Sequence, residues 1–251
     1  MASNKFSVIA HRDHEICNPL NKGKLQSVLD RIPFESGGKV LDIGAGKCSV
    51  LMDLIDRHDV VGTAIEIERS FIEEAQRKAG QWIIDNQLEI VNEDAKKVID
   101  GMDELYDVSI CLGATHALGN YKVTLERMSE VVKPGGYLLV GEGYWKRKPD
   151  AAYLEALGAE EGELFSHQEN IQVGEDLGLV PMWASVANED EWDDYEWLYS
   201  RSIEMYCLEN PDDPDVNAMR DRIRKWRSSY LRWGRNTLGF GLYLFYNTGG
   251  K

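Results

Sequence analysis

Between residues 40 and 141 the chain repeats one pattern. A short, nearly continuous apolar run is followed by a longer stretch whose apolar residues recur every three or four positions. The runs at 40–43, 60–66, 88–91, 106–112 and 137–141 read as strands, and 49–57, 69–85 and 121–132 read as helices. In the last of these, Leu125, Met128, Val131 and Val132 form one apolar stripe, and Lys133-Pro134-Gly135-Gly136 stops it. Strands alternating with helices over short connections predict βαβ units and a parallel sheet. Strands this uniformly apolar are covered on both faces, so helices are expected on each side. Handedness then brings the C-terminal ends of the parallel strands to one edge, where open α/β sheets bind ligands.

The rest of the chain extends this frame. Residues 178–187 and 238–246 read as a sixth and a seventh strand. Between them lies a helical insertion, 189–236. Its first helix carries Trp192, Tyr195, Leu198, Tyr199, Met205 and Tyr206, and its second Val216, Met219, Ile223, Trp226, Tyr230 and Trp233. The three-four spacing of Trp226, Tyr230 and Trp233 reads first as helix packing. Asp213 is expected to cap the second helix at Pro214. Residues 24–32 read as a helix with Leu25, Val28, Leu29 and Ile32 inward, whereas 1–20 read as polar and irregular. The expected organisation is a single domain. It comprises an N-terminal lid segment (1–34), a ligand-binding core (35–145) and a cap made by the insertion (189–236).

Charge narrows the partners. The 251 residues hold 28 Lys and Arg against 43 Asp and Glu, a net charge of −15. Phosphate backbones are bound by displacing counterions with Lys and Arg, so a nucleic-acid partner is not expected. An anionic membrane surface is disfavoured likewise. The basic face Arg220, Arg222, Arg224, Lys225 and Arg227 is expected to pair with the acidic run 189–196 or to be solvated. No run approaches the ~18 apolar residues of a span, and the first ten residues lack a signal sequence's apolar stretch. Cys17, Cys48, Cys111 and Cys207 are scattered, with no metal-ligand spacing. A metal site is not expected, and a cytoplasmic location is.

The first strand runs directly into Asp42-Ile43-Gly44-Ala45-Gly46-Lys47-Cys48. Glycines there allow torsions and a close ligand approach that side chains block. Glu66 ends the second strand, where a carboxylate accepts ribose hydroxyls. It reads equally as a helix-start acid. Asp94 follows the third strand, placed either to accept from an adenine amino group or to cap the helix after it. Three acids at three successive strand ends converge on one edge. A dinucleotide site wants a third glycine where Ser49 stands, and Asp42 would repel a pyrophosphate. Asp42 suits instead a ligand with a cationic amino-acid tail, and S-adenosylmethionine is such a ligand.

VLDIGAGKC, the Glu66 strand end, Asn92-Glu93-Asp94-Ala95 and Lys133-Pro134-Gly135-Gly136 together resemble class I S-adenosylmethionine-dependent methyltransferases over roughly residues 35–145. Gly113-Ala114-Thr115-His116, Gly141-Glu142-Gly143-Tyr144-Trp145, Asn210-Pro211-Asp212-Asp213 and Gly239-Phe240-Gly241 resemble more closely a bacterial branch that methylates small molecules. His14 and Asn18-Pro19 fit that branch too. The resemblance implies a Rossmann-like sheet of seven strands, mostly parallel, with the last antiparallel. It also implies that Gly44, Ala45 and Gly46 pass beside the cofactor's amino-acid tail, oriented by Asp42. Glu66 would hold the ribose and Ile67 would pack on the adenine. Asp94 and Ala95 would meet the adenine edge, and Leu112 and Gly113 would flank the methionine part. Cys48 stands where the family often has another glycine.

Methyl transfer from a sulfonium is an in-line displacement, so the protein mostly supplies alignment and water exclusion. Where the acceptor arrives protonated, His116 is the expected base, with Glu142 and Tyr144 as further catalytic candidates. His14 reaches the site only if the N-terminal segment closes over it, and His11 and His58 read as surface residues. Trp192, Tyr195 and Tyr199, with Trp145, are candidates to roof an acceptor pocket. The expected function is methylation of a small molecule. A methyltransferase acting on RNA or protein, or a binding protein without catalysis, is the alternative.

Overall fold

The computed structural model describes residues 3–84 and 86–249. Residue 85, the last position of the helix expected over 69–85, lies outside them, as do residues 1 and 2 of the expected lid. The chain divides into two compact units. One comprises Lys22–Glu142, His167–Val186 and Gly241–Lys251. The other comprises Met1–Asn21, Gly143–Ser166 and Ala187–Phe240.

The first unit is built on a seven-stranded sheet. Its strands are β1 (Lys39–Ile43), β2 (Val61–Ile65), β3 (Leu88–Val91), β4 (Tyr106–Leu112), β5 (Val132–Trp145), β6 (Leu179–Val186) and β7 (Leu238–Asn247), in the spatial order β3-β2-β1-β4-β5-β7-β6. β1 lies parallel to β2 and β4, β2 to β3, and β4 to β5. β6 and β7 pair antiparallel. All seven expected strands form, and the Rossmann-like arrangement is the expected one. Strand order reverses at β1 and β4, which opens a crevice at their C-terminal ends.

The helices between the strands follow from apolar periodicity and local caps. α3 (Ser49–His58) buries Leu51, Leu54 and Ile55, and α6 (Tyr121–Val131) buries Leu125 and Met128. The Asn120 side chain caps α6 by accepting from Val123 N–H at 3.0 Å. Leu41, Ile43, Ile65, Met128, Leu138, Val140 and Phe245 belong to one buried cluster between sheet and helices. α2 (Lys22–Leu29), which buries Leu25, Val28 and Leu29 as expected, α4 (Arg69–Ile84) and the short α5 (Ala95–Asp100) complete the first half of the unit. α8 (His167–Asp176), unforeseen from the sequence, packs on β6 and lies so close to β7 that a Cβ at Gly174 would stand 2.2 Å from the Phe245 ring.

One turn signal resolves differently from its expectation. Lys133-Pro134-Gly135-Gly136 does not separate helix from strand, because β5 already begins at Val132. Tyr106 pairs with Val132 and Val108 with Tyr137, so residues 133–136 bulge opposite Asp107. Asp107 holds the bulge by accepting from Lys133 Nζ at 2.6 Å and from Lys39 N–H at 2.8 Å.

β6 is an edge strand with Val180, Met182, Trp183 and Val186 exposed. Its register shifts between Pro181 and Trp183. The Arg31 guanidinium lies 3.4 Å from the Trp183 ring centre, and Lys24 Nζ donates to the Val186 carbonyl.

The second unit is helical. α1 (Ser3–Ala10), α9 (Glu189–Glu209) and α10 (Val216–Ser229) enclose Phe6, Ala10, Ile203, Cys207, Met219 and Ile223. α7 (Ala151–Leu157) also belongs to this unit. The segment expected to be irregular thus contains α1. Eight residues without end charges are a weak helix alone, and burial of Phe6 and Ala10 stabilises it. α9 carries a capping box at Asn188 and Glu191. α10 begins at Val216, later than expected, and Asp213 does not cap it. Asp213 accepts instead from Lys5, Tyr206 and the Asp215 N–H, which ties α1 to the turn.

Aromatic residues of the insertion do pack the two long helices. Trp226 Nε1 donates to Glu196 at 2.6 Å and the Tyr230 hydroxyl to Asp193 at 2.6 Å. In the basic face Arg224 and Arg227 meet Glu204 rather than the run 189–196, and Arg222, Arg224 and Lys225 are exposed to solvent, the other expected outcome. His11 is not the surface residue it was expected to be. His11 is half-buried with Nε2 3.0 Å from the Tyr195 hydroxyl, and His14 is buried with Nε2 3.1 Å from the Tyr195 carbonyl. His58 is half-buried too, its ring 4.8 Å from that of Phe34.

Candidate functional site

Asp42, Glu66 and Asp94 stand at or just beyond the C-terminal ends of β1, β2 and β3. The loop after β1 is wound left-handed at three alternate residues: Gly44 at φ +68°, Gly46 at +55° and Cys48 at +57°. Each glycine has its own reason. A Cβ at Gly44 would lie 2.3 Å from that of Ala114, so the loop can pass the β4 end only without a side chain. A Cβ at Gly46 would meet nothing within 4 Å, so that position faces open space. Cys48 adopts the torsion usual for glycine at a cost of about 1–2 kcal/mol. Its side chain is fully buried, which offsets part of that cost.

Glu66 organises this loop. Its Oε2 accepts from Gly46 N–H at 2.8 Å, and its Oε1 accepts from Ile67 N–H at 2.9 Å and Glu68 N–H at 2.7 Å. Three of the roughly four acceptor positions of a carboxylate are thus taken. Next to it Ile67 is 66% exposed, an apolar side chain turned to solvent. Asn92 Nδ2 donates to the Glu66 and Ile67 carbonyls at 3.0 and 3.2 Å and so fixes the β2 end against the β3 end. Asp94 is the N-cap of α5, with Oδ1 accepting from Lys96 and Lys97 N–H. Oδ2 is not used by the cap. Ala95 is buried beneath it.

Asp42 is the least compensated acid at this edge. It is 4% exposed, and no hydrogen bond to its carboxylate occurs among the described residues. Burial, with the nearby Glu66 charge adding, pushes its pKa up to about 7. Such a group favours either a proton or an incoming cation.

Beyond β4 the chain turns through Gly113 at φ +70° into a short turn of 3₁₀ helix, Thr115–Ala117. Leu112 is half-buried at the strand end and His116 is exposed on the turn. The Thr115 hydroxyl donates to Glu142 Oε2, and the Thr115 carbonyl accepts from the Thr124 hydroxyl at 3.0 Å. His116 and Glu142 are therefore linked through one residue. Tyr144 belongs to the other unit, where its buried ring packs on Gly239 and burial raises its pKa.

Sequence reasoning passed over Lys47, Asn92 and Thr115. Each supports a residue it did single out, and only Lys47 carried a legible sign, a charge inside an otherwise small-residue loop. A cleft of about 440 Å³ lies elsewhere, at the N-terminal ends of β1 and β4, lined by residues including Phe34, Val40 and Tyr137. The charges it holds at Lys133 and Asp107 already pair with each other. It has none of the convergent acids of the opposite edge. Among the described residues no cluster of side chains has metal-ligand geometry, and no helix is long and apolar enough to cross a membrane.

Comparison with known proteins follows this geometry. Residues 41–138 match the family profile of a methyltransferase domain. A protein of Escherichia coli known as uncharacterized protein YjhP is 26% identical over 242 residues, covering 95% of this chain and 96% of its own. Two solved structures are similar along nearly the whole chain. One is a SAM-dependent methyltransferase from Geobacter sulfurreducens in complex with S-adenosyl-L-homocysteine. It has TM-score 0.89 and 25% identity, covering 96% of this chain and 97% of that one. The other is a SAM-dependent methyltransferase from Thiobacillus denitrificans in the same complex, with TM-score 0.88 and 27% identity, covering 97% and 98%.

Proposed function

We propose that the chain is a class I S-adenosylmethionine-dependent methyltransferase that methylates a small organic molecule, a reading supported by the methyltransferase-domain match and by the two similar SAM-dependent methyltransferases. The observation that carries the cofactor side is Asp42, a buried carboxylate with no hydrogen-bond donor among the described residues, beside a loop whose Gly46 faces open space. A cationic amino-acid tail compensates such a charge, and the bare backbone at Gly46 leaves room for it beside Gly44 and Ala45. Glu66 accepts from the ribose through its remaining acceptor position. Ile67 covers a flat apolar face of the adenine, and Asp94 Oδ2 with Ala95 meets its edge. Leu112 and Gly113 border the reacting end.

When bound, the cofactor supplies an already activated methyl group. What the chain adds is alignment, exclusion of water and, for a protonated acceptor, a base. His116 is exposed at the end of β4, with its ring free to face an acceptor, and takes that proton. Glu142, held by the Thr115 hydroxyl, orients the acceptor, and favours one that carries a positive charge or a donor. A net charge of −15 supports an acceptor other than nucleic acid or an anionic membrane surface, and four free, scattered cysteines fit a cytoplasmic setting.

The test is transfer of labelled methyl from S-adenosylmethionine into a cell extract. Label that passes an ultrafiltration membrane in a compound chromatographically distinct from S-adenosylmethionine, and only when the protein is present, supports a small acceptor, whereas label retained in RNA or protein overturns it. With the acceptor in hand, His116→Ala is expected to lower the rate by roughly 10²–10⁴-fold at unchanged cofactor affinity. A rate within a few-fold of wild type removes His116 as the base.

A further inference from the structure

The loop that borders the cofactor contains a lysine buried to 3% exposure. Lys47 follows Gly46 directly, and its Nζ lies 3.0 Å from Glu74 Oε2 on α4. The other oxygen of Glu74 meets Lys78 Nζ at 2.7 Å, one turn along the same helix. The two ammonium groups hold the Glu74 carboxyl below its usual range even though burial acts the other way. An ammonium taken out of water contributes little to stability beyond what an apolar side chain of the same size would. Its effect here is directional. Gly46 and Lys47 are adjacent, and both are tied to the segment after β2. Gly46 N–H is tied to Glu66, and the Lys47 side chain reaches across to α4. Between Gly44 and Cys48 three residues hold left-handed torsions, a conformation that persists only where neighbours determine it.

We propose that Lys47 and Glu74 form a positioning pair that fixes the glycine loop for the amino-acid half of the cofactor. The pair makes no contact with the nucleoside half, which Glu66, Ile67 and Asp94 would hold. This rests on the cofactor placement given above, and it predicts a split between ligands. S-adenosylhomocysteine carries the amino-acid tail, and adenosine does not.

The experiment is calorimetric titration of both ligands into wild type, Lys47→Met, Lys47→Arg and Glu74→Gln, with thermal unfolding of each. Lys47→Met is expected to weaken S-adenosylhomocysteine about tenfold, in the range of coupled neighbours, and adenosine less than twofold. Lys47→Arg restores most of the loss, and Glu74→Gln reproduces part of it. If Lys47→Met does not fold, Glu74→Gln carries the same comparison. A folded variant of lower melting temperature with both affinities unchanged shows a merely structural pair and overturns the proposal, as does an equal loss for both ligands. Wild-type protein that binds neither ligand overturns the cofactor placement and the proposal with it.

Discussion

Asp42→Asn is expected to make the ligand-free protein more stable at pH 8, by at most about 4 kcal/mol. The native carboxyl titrates near pH 7 because it is buried and faces Glu66, against 3.8 when unperturbed. A raised pKa in an acid means that the native state binds the proton more tightly than the unfolded chain. The penalty for the charge is absent below about pH 3.8, grows between there and pH 7, and is complete above. Asparagine is neutral throughout, so the gap between variant and wild type should be widest at pH 8 and close by pH 4. Denaturant midpoints at the two pH values measure it. Equal midpoints at pH 8 would show that Asp42 is already compensated in solution. The same substitution should weaken S-adenosylmethionine more than S-adenosylhomocysteine, since only the first carries a sulfonium charge in addition to its ammonium.

Glu66→Ala is expected to act in the other direction on stability and in the same direction on ligand binding. Three backbone N–H groups, of Gly46, Ile67 and Glu68, lose their acceptor. Leaving buried donors unsatisfied costs about 1–3 kcal/mol of stability. Ligand binding falls by a similar free energy, roughly fivefold to more than a hundredfold, and adenosine suffers along with the full cofactor. Glu66→Gln keeps one acceptor oxygen and should lie between. The two sites are also coupled, since removing the Glu66 charge lets Asp42 ionise more easily. A pH-stability profile of Glu66→Ala would show the Asp42 window moved to lower pH. Adenosine affinity unchanged in this variant would remove Glu66 from the ribose site.

The strands and their layering were legible because each is a continuous apolar run closed by a turn signal. The acids at the strand ends followed from that layout. What stayed hidden depends on contacts between distant segments. α1 is a helix because Phe6 and Ala10 find a core, not because Ser3–Ala10 favours one. The bulge at 133–136 keeps strand pairing because Asp107, far away in the chain, accepts from Lys133 and Lys39. Glu66 could be read as a ribose ligand, but not as the anchor of Gly46, since that bond spans two strands. Lys47 reads as a solvated charge until Glu74 is brought beside it. The separation of Tyr144 from Glu142 into different units had no sequence signal at all.

The edge strand β6 bears on how this protein behaves when concentrated. Its exposed Val180, Met182, Trp183 and Val186 would make a flat strand a template for a neighbouring molecule. Pro181 lacks the N–H that such a template offers, the register shift bends the ladder, and Arg31 lies over Trp183. Each device interrupts strand addition at a different atom, so replacing Pro181 or Arg31 is expected to raise the tendency of the concentrated protein to aggregate.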